Sequence, residues 1–165
     1  MILKPHIGLA ALLGLVCWSG YAYATLGQTQ DTVETDRMRM GAVRQSLDSN
    51  SAIMHAAVSN AYTVQQIALT DNTVVREYVN GAGVVFGVTW HGASIPSLSQ
   101  LLGDDGLAKM QTAYQAARAA HPGRGPVALQ TSDVVFYSGG HPQAFSGVAY
   151  VPRLVPAGVD PSVIR

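Results

Sequence analysis

The stretch TVVREYVNGAGVVFGVTW, residues 73–90, decides the fold class of this chain. Its first half is rich in β-branched and aromatic residues, and large apolar residues alternate with smaller ones in its second half, at Val84, Phe86, Val88 and Trp90. Period-two alternation with the bulk on one face is typical of a strand. Asn80-Gly81 is the favoured dipeptide of a two-residue hairpin turn, because both residues tolerate positive φ. The stretch therefore predicts an antiparallel hairpin.

Similar patterns lie on both sides of this hairpin. Strands are predicted at Ala61–Leu69, Val127–Gln130, Asp133–Ser138 and Ala144–Val151, with turns at Thr70-Asp71-Asn72 and Thr131-Ser132. Between the two groups, residues 97–120 have helical periodicity. Ser97 with Gln100 is a capping-box candidate, and Gly103 to Gly106 predicts a bend. The predicted fold class is α+β, with an antiparallel sheet of about five or six strands and one main helix packed on it. Along the chain, a first β-meander is followed by the helix and then by a second β-meander.

The remaining segments flank this domain. Asp31 to about Leu47 predicts an N-terminal helix with Asp31 as its N-cap. Residues 48–60 are polar and small, as in a linker, and prolines in residues 153–165 favour an extended tail. The predicted organisation is a signal peptide at 1–24, a helix and linker at 25–60, an α+β domain at 61–152 and a Pro-rich tail at 153–165.

The N-terminus indicates export. Lys4 precedes an apolar run at Ile7–Trp18, which has the length of a signal peptide and is short for a membrane span. Ala22-Tyr23-Ala24 is an A-x-A cleavage signature, so we expect a mature chain that begins at Thr25 and lies in the periplasm or outside a Gram-negative cell. The alternatives are an uncleaved N-terminal anchor and lipidation at Cys17, which the large Val16 before it disfavours.

The amino-acid composition limits the kinds of site and partner that the expected mature chain can have. Cys17 is the only cysteine, so the expected mature chain has no disulfide, thiol nucleophile or thiolate metal site. The full chain has ten basic and ten acidic residues, so removal of Lys4 with the signal peptide leaves a formal net charge of −1. There is no basic run, which argues against nucleic acid or anionic lipid as a partner. No second long apolar run follows, so no transmembrane span is expected after signal removal.

No motif encodes a catalytic or cofactor site. The histidines after the signal peptide, at positions 55, 91, 121 and 141, are not spaced as metal ligands, although His91, His141 and an acid such as Asp104 could assemble from strand ends. The chain has no G-x-S-x-G. Gly81-Ala82-Gly83 and Gly139-Gly140 lie between strands rather than before a helix, so they read as hairpin glycines and not as a nucleotide site. No cofactor or metal is predicted.

Two places remain candidates for function. Arg76 and Glu77 point to opposite faces of one strand, so one of them shares the apolar face and would need a partner. His141 follows two glycines, which suit a reversal, and precedes a proline, which favours an extended conformation. The candidate binding surface comprises Arg76, Glu77, Tyr78, Trp90, His91, Gly139, Gly140 and His141.

The chain resembles a family of small exported proteobacterial proteins known only as a domain of unknown function. The resemblance lies in Tyr62-Thr63, Thr73–Tyr78, Gly83–Phe86, Trp90, Leu101–Gly103, Ser138–His141, Phe145, Gly147, Ala149-Tyr150 and Pro152, together with the signal peptide and Asp36-Arg37 before a Met. The chain departs from the family pattern at Asp71-Asn72, where Asp-Gly is usual, and at Gly103–Gly106, where aromatics are usual. The resemblance implies export and no particular reaction.

Two functions from different classes follow. The absence of a recognisable catalytic constellation favours a non-enzymatic binding protein of the cell envelope, with an envelope protein or a small ligand as its partner. The alternative is a small envelope hydrolase or metal-dependent enzyme that uses His141 and His91 at strand ends.

Overall fold

A computed structural model describes residues 26–41, 43–45 (backbone), 61–120, 122–123 and 125–165. The predicted signal peptide with Lys4 and Cys17, the 48–60 linker, His55 and His121 lie outside these residues. No helix within the described ranges combines the length and the apolar character needed to cross a bilayer.

The described chain folds as one antiparallel sheet with helices, which confirms the α+β prediction. Seven strands pair in the order β1-β2-β3-β4-β7-β6-β5. Helix α1 precedes them, and helix α2 connects β4 to β5 on the far edge. Because β7 returns from that edge to pair with β4, the two meanders form a single sheet. The elements are α1 Asp31–Arg39, β1 Val43–Gln45, β2 Tyr62–Ala68, β3 Val74–Asn80, β4 Val85–Gly92, α2 Leu98–Ala120, β5 Val127–Gln130, β6 Val135–His141 and β7 Ala144–Tyr150.

One face of the sheet, which we call the helix face, carries the larger core. Val75, Val88 and Trp90 pack there against Val33 of α1 and Leu101 of α2. Helix α2 is bent as predicted, because Gly103 has φ 73° and ψ 167° inside it. The short segment before the bend buries its leucines in the core, whereas most residues after Met110 are exposed.

Helix α1 is shorter than predicted. Asp31 is its first residue rather than its N-cap, since Gln30 precedes it with helical dihedral angles and makes no side-chain cap. The helix ends at Arg39, and Gly41 follows with φ 62°, a conformation that stops a helix. The predicted continuation to Leu47 is therefore wrong: Val43–Gln45 is instead an edge strand paired with β2.

The opposite face, which we call the tail face, is covered in part by residues 152–165. This segment contains two short 3-10 turns, Pro152–Leu154 and Pro161–Val163. Its Ile164 is buried in a second core with Tyr78 and Phe86. The segment expected as an extended tail thus lies against the sheet, because its apolar side chains cover apolar positions there.

A β-bulge in β4 supplies part of this second core. Tyr78 pairs with Gly87 and Val79 pairs with Val85, so Phe86 is an extra residue in its strand. Phe86 consequently packs on the tail face, whereas Val88 and Trp90 pack on the helix face. The expectation that these three residues share one face is wrong at Phe86.

The β3–β4 reversal also differs from its prediction. The Gly83 N–H donates to the carbonyl of Asn80 at 2.9 Å, and the positive φ, 74°, belongs to Gly83 rather than to Asn80 and Gly81. The Asn80 side chain accepts hydrogen bonds from the backbone N–H groups of Ala82 and Val84, each at 3.0 Å. This longer turn precedes the bulge and sets its register.

The glycine pair near His141 is not the reversal that the sequence suggested. Strand β6 continues through Gly139 and Gly140 to His141, which pairs with Ala144. The turn residues are Pro142 and Gln143, and Gln143 takes φ 72°, as at the third position of a type II turn. Gly140 is needed for another reason: a Cβ there would lie 2.2 Å from the Ala144 carbonyl oxygen.

A first prediction concerns the contact between β4 and β7. Gly147 pairs with Trp90, and a Cβ on Gly147 would lie 2.0 Å from the indole Cζ2. Gly147→Ala must displace the buried indole, so we expect the free energy of unfolding in urea to fall by about 3 kcal/mol. Gly81→Ala is the control, because nothing lies within 4 Å of a Cβ there. Equal losses in the two variants would contradict this account.

Candidate functional site

An open groove lies on the tail face beside the covered area. Its floor consists of two cross-strand rows that run over β3, β4, β7 and β6. The first row contains Val74, His91 and Ser146. The second row contains Arg76, Thr89, Val148 and Tyr137. The groove has a volume of about 430 Å³, which is in the range of small-ligand pockets.

The end of residues 152–165 forms one wall of the groove. Ile164 fills a notch above Gly87, where a Cβ would lie 3.1 Å from the Ile164 Cγ2. The Tyr78 hydroxyl donates to the main-chain oxygen of Arg165 at 2.8 Å and accepts from the Arg165 N–H at 3.0 Å. Arg76 Nη1 donates to the same oxygen at 3.2 Å. Three hydrogen bonds and one packing contact thus hold the wall at this place on the sheet.

The lining combines basic, polar and apolar side chains. Arg76, His91 and Arg165 are basic, Thr89 and Ser146 have hydroxyls, and none of the described lining residues is Asp or Glu. The exposed ring of Tyr137 lies at the far side, with 43% of its surface accessible. A groove of this kind can bind a ligand through hydrogen bonds and apolar contact.

Three of the predicted surface residues line this groove: Arg76, Trp90 and His91. The Trp90 side chain itself packs on the helix face, 5.8 Å from the Phe136 ring, and its Nε1–H has no acceptor among the described residues. Tyr78 is buried under the wall and holds it through Arg165. The sheet therefore brings together the β3 and β4 parts of the predicted surface.

The β6 part of the predicted surface lies farther away. Gly139 pairs with Ser146 but does not itself line the groove, and His141 lies two residues beyond it at the hairpin, with its Nδ1 3.2 Å from the Pro142 carbonyl oxygen. Two strand spacings and two residues separate His91 from His141, so their Cα atoms are about 12 Å apart across the sheet. Asp104 belongs to α2 on the opposite face. The imagined site of His91, His141 and Asp104 is therefore wrong, and the described residues contain no cluster of three metal-ligating side chains.

The two carboxyl groups nearest the core lie on the helix face. Glu77 is fully buried, so it is the member of the Arg76–Glu77 pair that shares the apolar face. Asp36 of α1 is also fully buried, and neither of its carboxyl oxygens has a hydrogen-bond partner among the described residues. Burial raises the pKa of Asp36 from 3.8 to about 7, against the attraction of the Arg39 charge. Neither carboxyl reaches the groove.

Several lining residues lie outside the predicted surface, among them Tyr137, Ser146, Val148 and Arg165. Tyr137 and Phe136 alternate in β6, and this pattern could have indicated that Tyr137 faces away from the core. No local pattern places Arg165 beside Arg76, because 89 positions separate these two residues along the chain.

A family model described as "Protein of unknown function (DUF2844)" matches residues 22–164. No curated protein and no solved structure matches the chain.

A second prediction concerns the buried carboxyl of α1. Between about pH 4 and pH 7 the unfolded chain has released the Asp36 proton while the folded chain retains it, so stability falls as the pH rises. Asp36→Asn removes this dependence, and we expect its stability relative to wild type to increase by up to about 4 kcal/mol from pH 4 to pH 7.5. Urea denaturation across this range measures the difference. Asp31→Asn, exposed on the same helix, is the control; parallel curves for wild type and Asp36→Asn would refute the assignment.

Proposed function

Because the chain belongs to the DUF2844 family, whose function is unknown, we propose a function from its own groove and N-terminus. The protein acts as an exported, non-enzymatic binding protein of the cell envelope, and the tail-face groove is its ligand site. The observation that carries this proposal is the wall of Ile164 and Arg165, which covers part of the tail face and leaves a groove lined by convergent polar side chains.

A binding role fits this geometry better than a hydrolytic one. His91 and His141 were the candidate catalytic histidines, and His141 is at the hairpin rather than in the groove lining. The aliphatic hydroxyl groups in the lining, on Thr89 and Ser146, come from strand interiors on the floor. These positions suit recognition of a bound molecule by a rigid sheet.

Export is supported by the sequence of residues 1–24. The order of Lys4, an apolar run and Ala22-Tyr23-Ala24 is that of a cleavable signal peptide. An exported protein would meet its ligand in the periplasm or outside the cell.

A third prediction tests export. The full chain, produced in a Gram-negative host, should appear in the periplasmic or extracellular fraction with the mass of a chain that begins at Thr25. Ala24→Arg places a large charged residue at the cleavage site and should leave the signal attached. Intact-mass measurement distinguishes these products. A species acylated at Cys17, or an uncleaved wild-type chain in the membrane fraction, would contradict the proposal.

A fourth prediction tests the groove. Small aromatic fragments should shift the backbone amide resonances of residues 89–92 and 145–148 in the wild-type protein. Ser146→Trp fills the floor with an indole, so we expect at least a tenfold loss of fragment affinity. Ser132→Trp, in the exposed β5–β6 turn, is the matched control and should retain binding. Unchanged affinity in Ser146→Trp would place the ligand site elsewhere.

A further inference from the structure

We propose that the tail-face groove binds a neutral oligosaccharide, with one sugar ring stacked on Tyr137 and its hydroxyl groups bound by side chains of the floor. This inference rests on the proposed function, since it names the ligand class of the same site. Its basis is the position of the Tyr137 ring and the hydrogen-bonding groups on the floor beside it.

The Tyr137 ring lies low over the sheet rather than standing up from it. Residues 137 and 139 share the tail face of β6, because alternate residues of a strand point the same way. A Cβ on Gly139 would lie 3.2 Å from the Tyr137 hydroxyl oxygen and 3.6 Å from its Cζ. The phenol therefore runs along the strand with its hydroxyl end over Gly139, and the absence of a side chain at this position allows the ring to rest close to the backbone.

This ring is open to a ligand. Tyr137 lines the groove and has 43% of its surface accessible. Its cross-strand neighbours are Val148 in β7 and Ala128 in β5, and the Ala128 side chain is too short to cover the ring. A tyrosine side chain offers a large, rigid contact surface and loses little conformational entropy when a ligand binds to it. Tyr137 is therefore suited to stack against a ring of the ligand.

Hydrogen-bonding side chains lie on the floor beside this ring. Thr89, His91 and Ser146 line the groove, and none of the three forms a side-chain hydrogen bond to another residue that the structure describes. His91 and Ser146 are a direct cross-strand pair, and Thr89 lies two residues before His91 on β4. Hydroxyl groups and an imidazole can donate and accept hydrogen bonds. These groups suit a ligand with several hydroxyl groups, which does not need a charge to bind them.

An entirely apolar ligand fits this lining less well than a saccharide. It would remove water from the hydroxyl groups of Thr89 and Ser146 without replacing the lost hydrogen bonds, which costs free energy. A sugar ring has hydroxyl groups around its edge and C–H groups on its faces. It can therefore stack on Tyr137 and form hydrogen bonds with the floor at the same time. Val148, between Tyr137 and Thr89 in one cross-strand row, adds apolar surface for the ring faces.

The length of the groove fits a short oligosaccharide. The row from Arg76 to Tyr137 spans three strand spacings, about 14 Å, which corresponds to about three linked sugar rings. The wall lies at the Arg76 end of this row, since Arg76 donates to the main-chain oxygen of Arg165. The oligosaccharide would begin at the wall and extend toward Tyr137 at the other end.

The test titrates three neutral trisaccharides, maltotriose, cellotriose and tri-N-acetylchitotriose, into the full protein and follows amide chemical shifts. At least one should shift the resonances of residues 89–92, 137 and 145–148, with a dissociation constant of about 1 mM or lower. Tyr137→Ala removes the stacking surface and should weaken this binding about tenfold, whereas Tyr137→Phe keeps the ring and should stay within about threefold of wild type. Ser146→Ala should weaken the saccharide about threefold to tenfold, but should not weaken N-phenylnaphthylamine, an apolar aromatic probe.

Two further variants separate the position of the ring from its presence. Gly139→Val adds a side chain where the phenol now lies, so it should displace the ring and weaken the trisaccharide about as much as Tyr137→Ala does. Tyr114→Ala is the matched control, because Tyr114 is a similarly exposed tyrosine on α2, outside the groove lining, and should change no affinity. Equal losses in Tyr114→Ala and Tyr137→Ala would overturn the stacking role of Tyr137.

The outcomes also separate this inference from the proposed function. If aromatic fragments bind in the groove and are blocked by Ser146→Trp while no trisaccharide shifts its resonances, the groove is a ligand site for another class of molecule and the saccharide inference is refuted. If neither fragments nor trisaccharides shift these resonances, both proposals are wrong. If a trisaccharide binds with the same affinity to wild type, Tyr137→Ala and Ser146→Ala, the sugar binds elsewhere and this inference is refuted.

Discussion

One extra residue in β4 allows each face of the sheet to carry a buried core. Without the bulge at Phe86, strict alternation would place this ring on the helix face with Val88 and Trp90, and the tail face would lose the centre of its core. With the bulge, Phe86 and the notch at Gly87 both face residues 152–165, and Ile164 fills the notch. The location of the wall, and hence of the groove, depends on this local change of register.

Much of the fold was predictable because its strands have strong local signals. The β-branched run from Thr73 and the turn at Thr131-Ser132 specify strands and a reversal without help from distant residues. Gly103 likewise marks a bend that the structure shows. Errors arose where two local patterns competed: Asn80-Gly81 resembles a two-residue turn, but the following Gly83 has the positive φ that ends a longer one.

The candidate site was predicted only in part, because it depends on register between distant strands. Arg76 and His91 belong to one hairpin, so their proximity follows from local sequence. Tyr137 and Ser146 belong to the second meander, and their place beside the first depends on how β7 pairs with β4. No pattern within either segment determines this pairing. The contact of Arg165 with Tyr78 is still more remote in sequence, and the proline content of the tail suggested the opposite arrangement.

The connection through α2 has a consequence for the order of folding. The floor of the groove joins strands from the two meanders, and its wall comes from residues 164 and 165, so its contacts span large separations along the chain. Contacts of this kind form late, because the entropy of closing long loops opposes them until the local hairpins exist. A chain shortened by only two residues would retain every strand and helix yet lose the wall. Ligand binding at the groove would therefore distinguish fully folded molecules from those that have formed only the sheet.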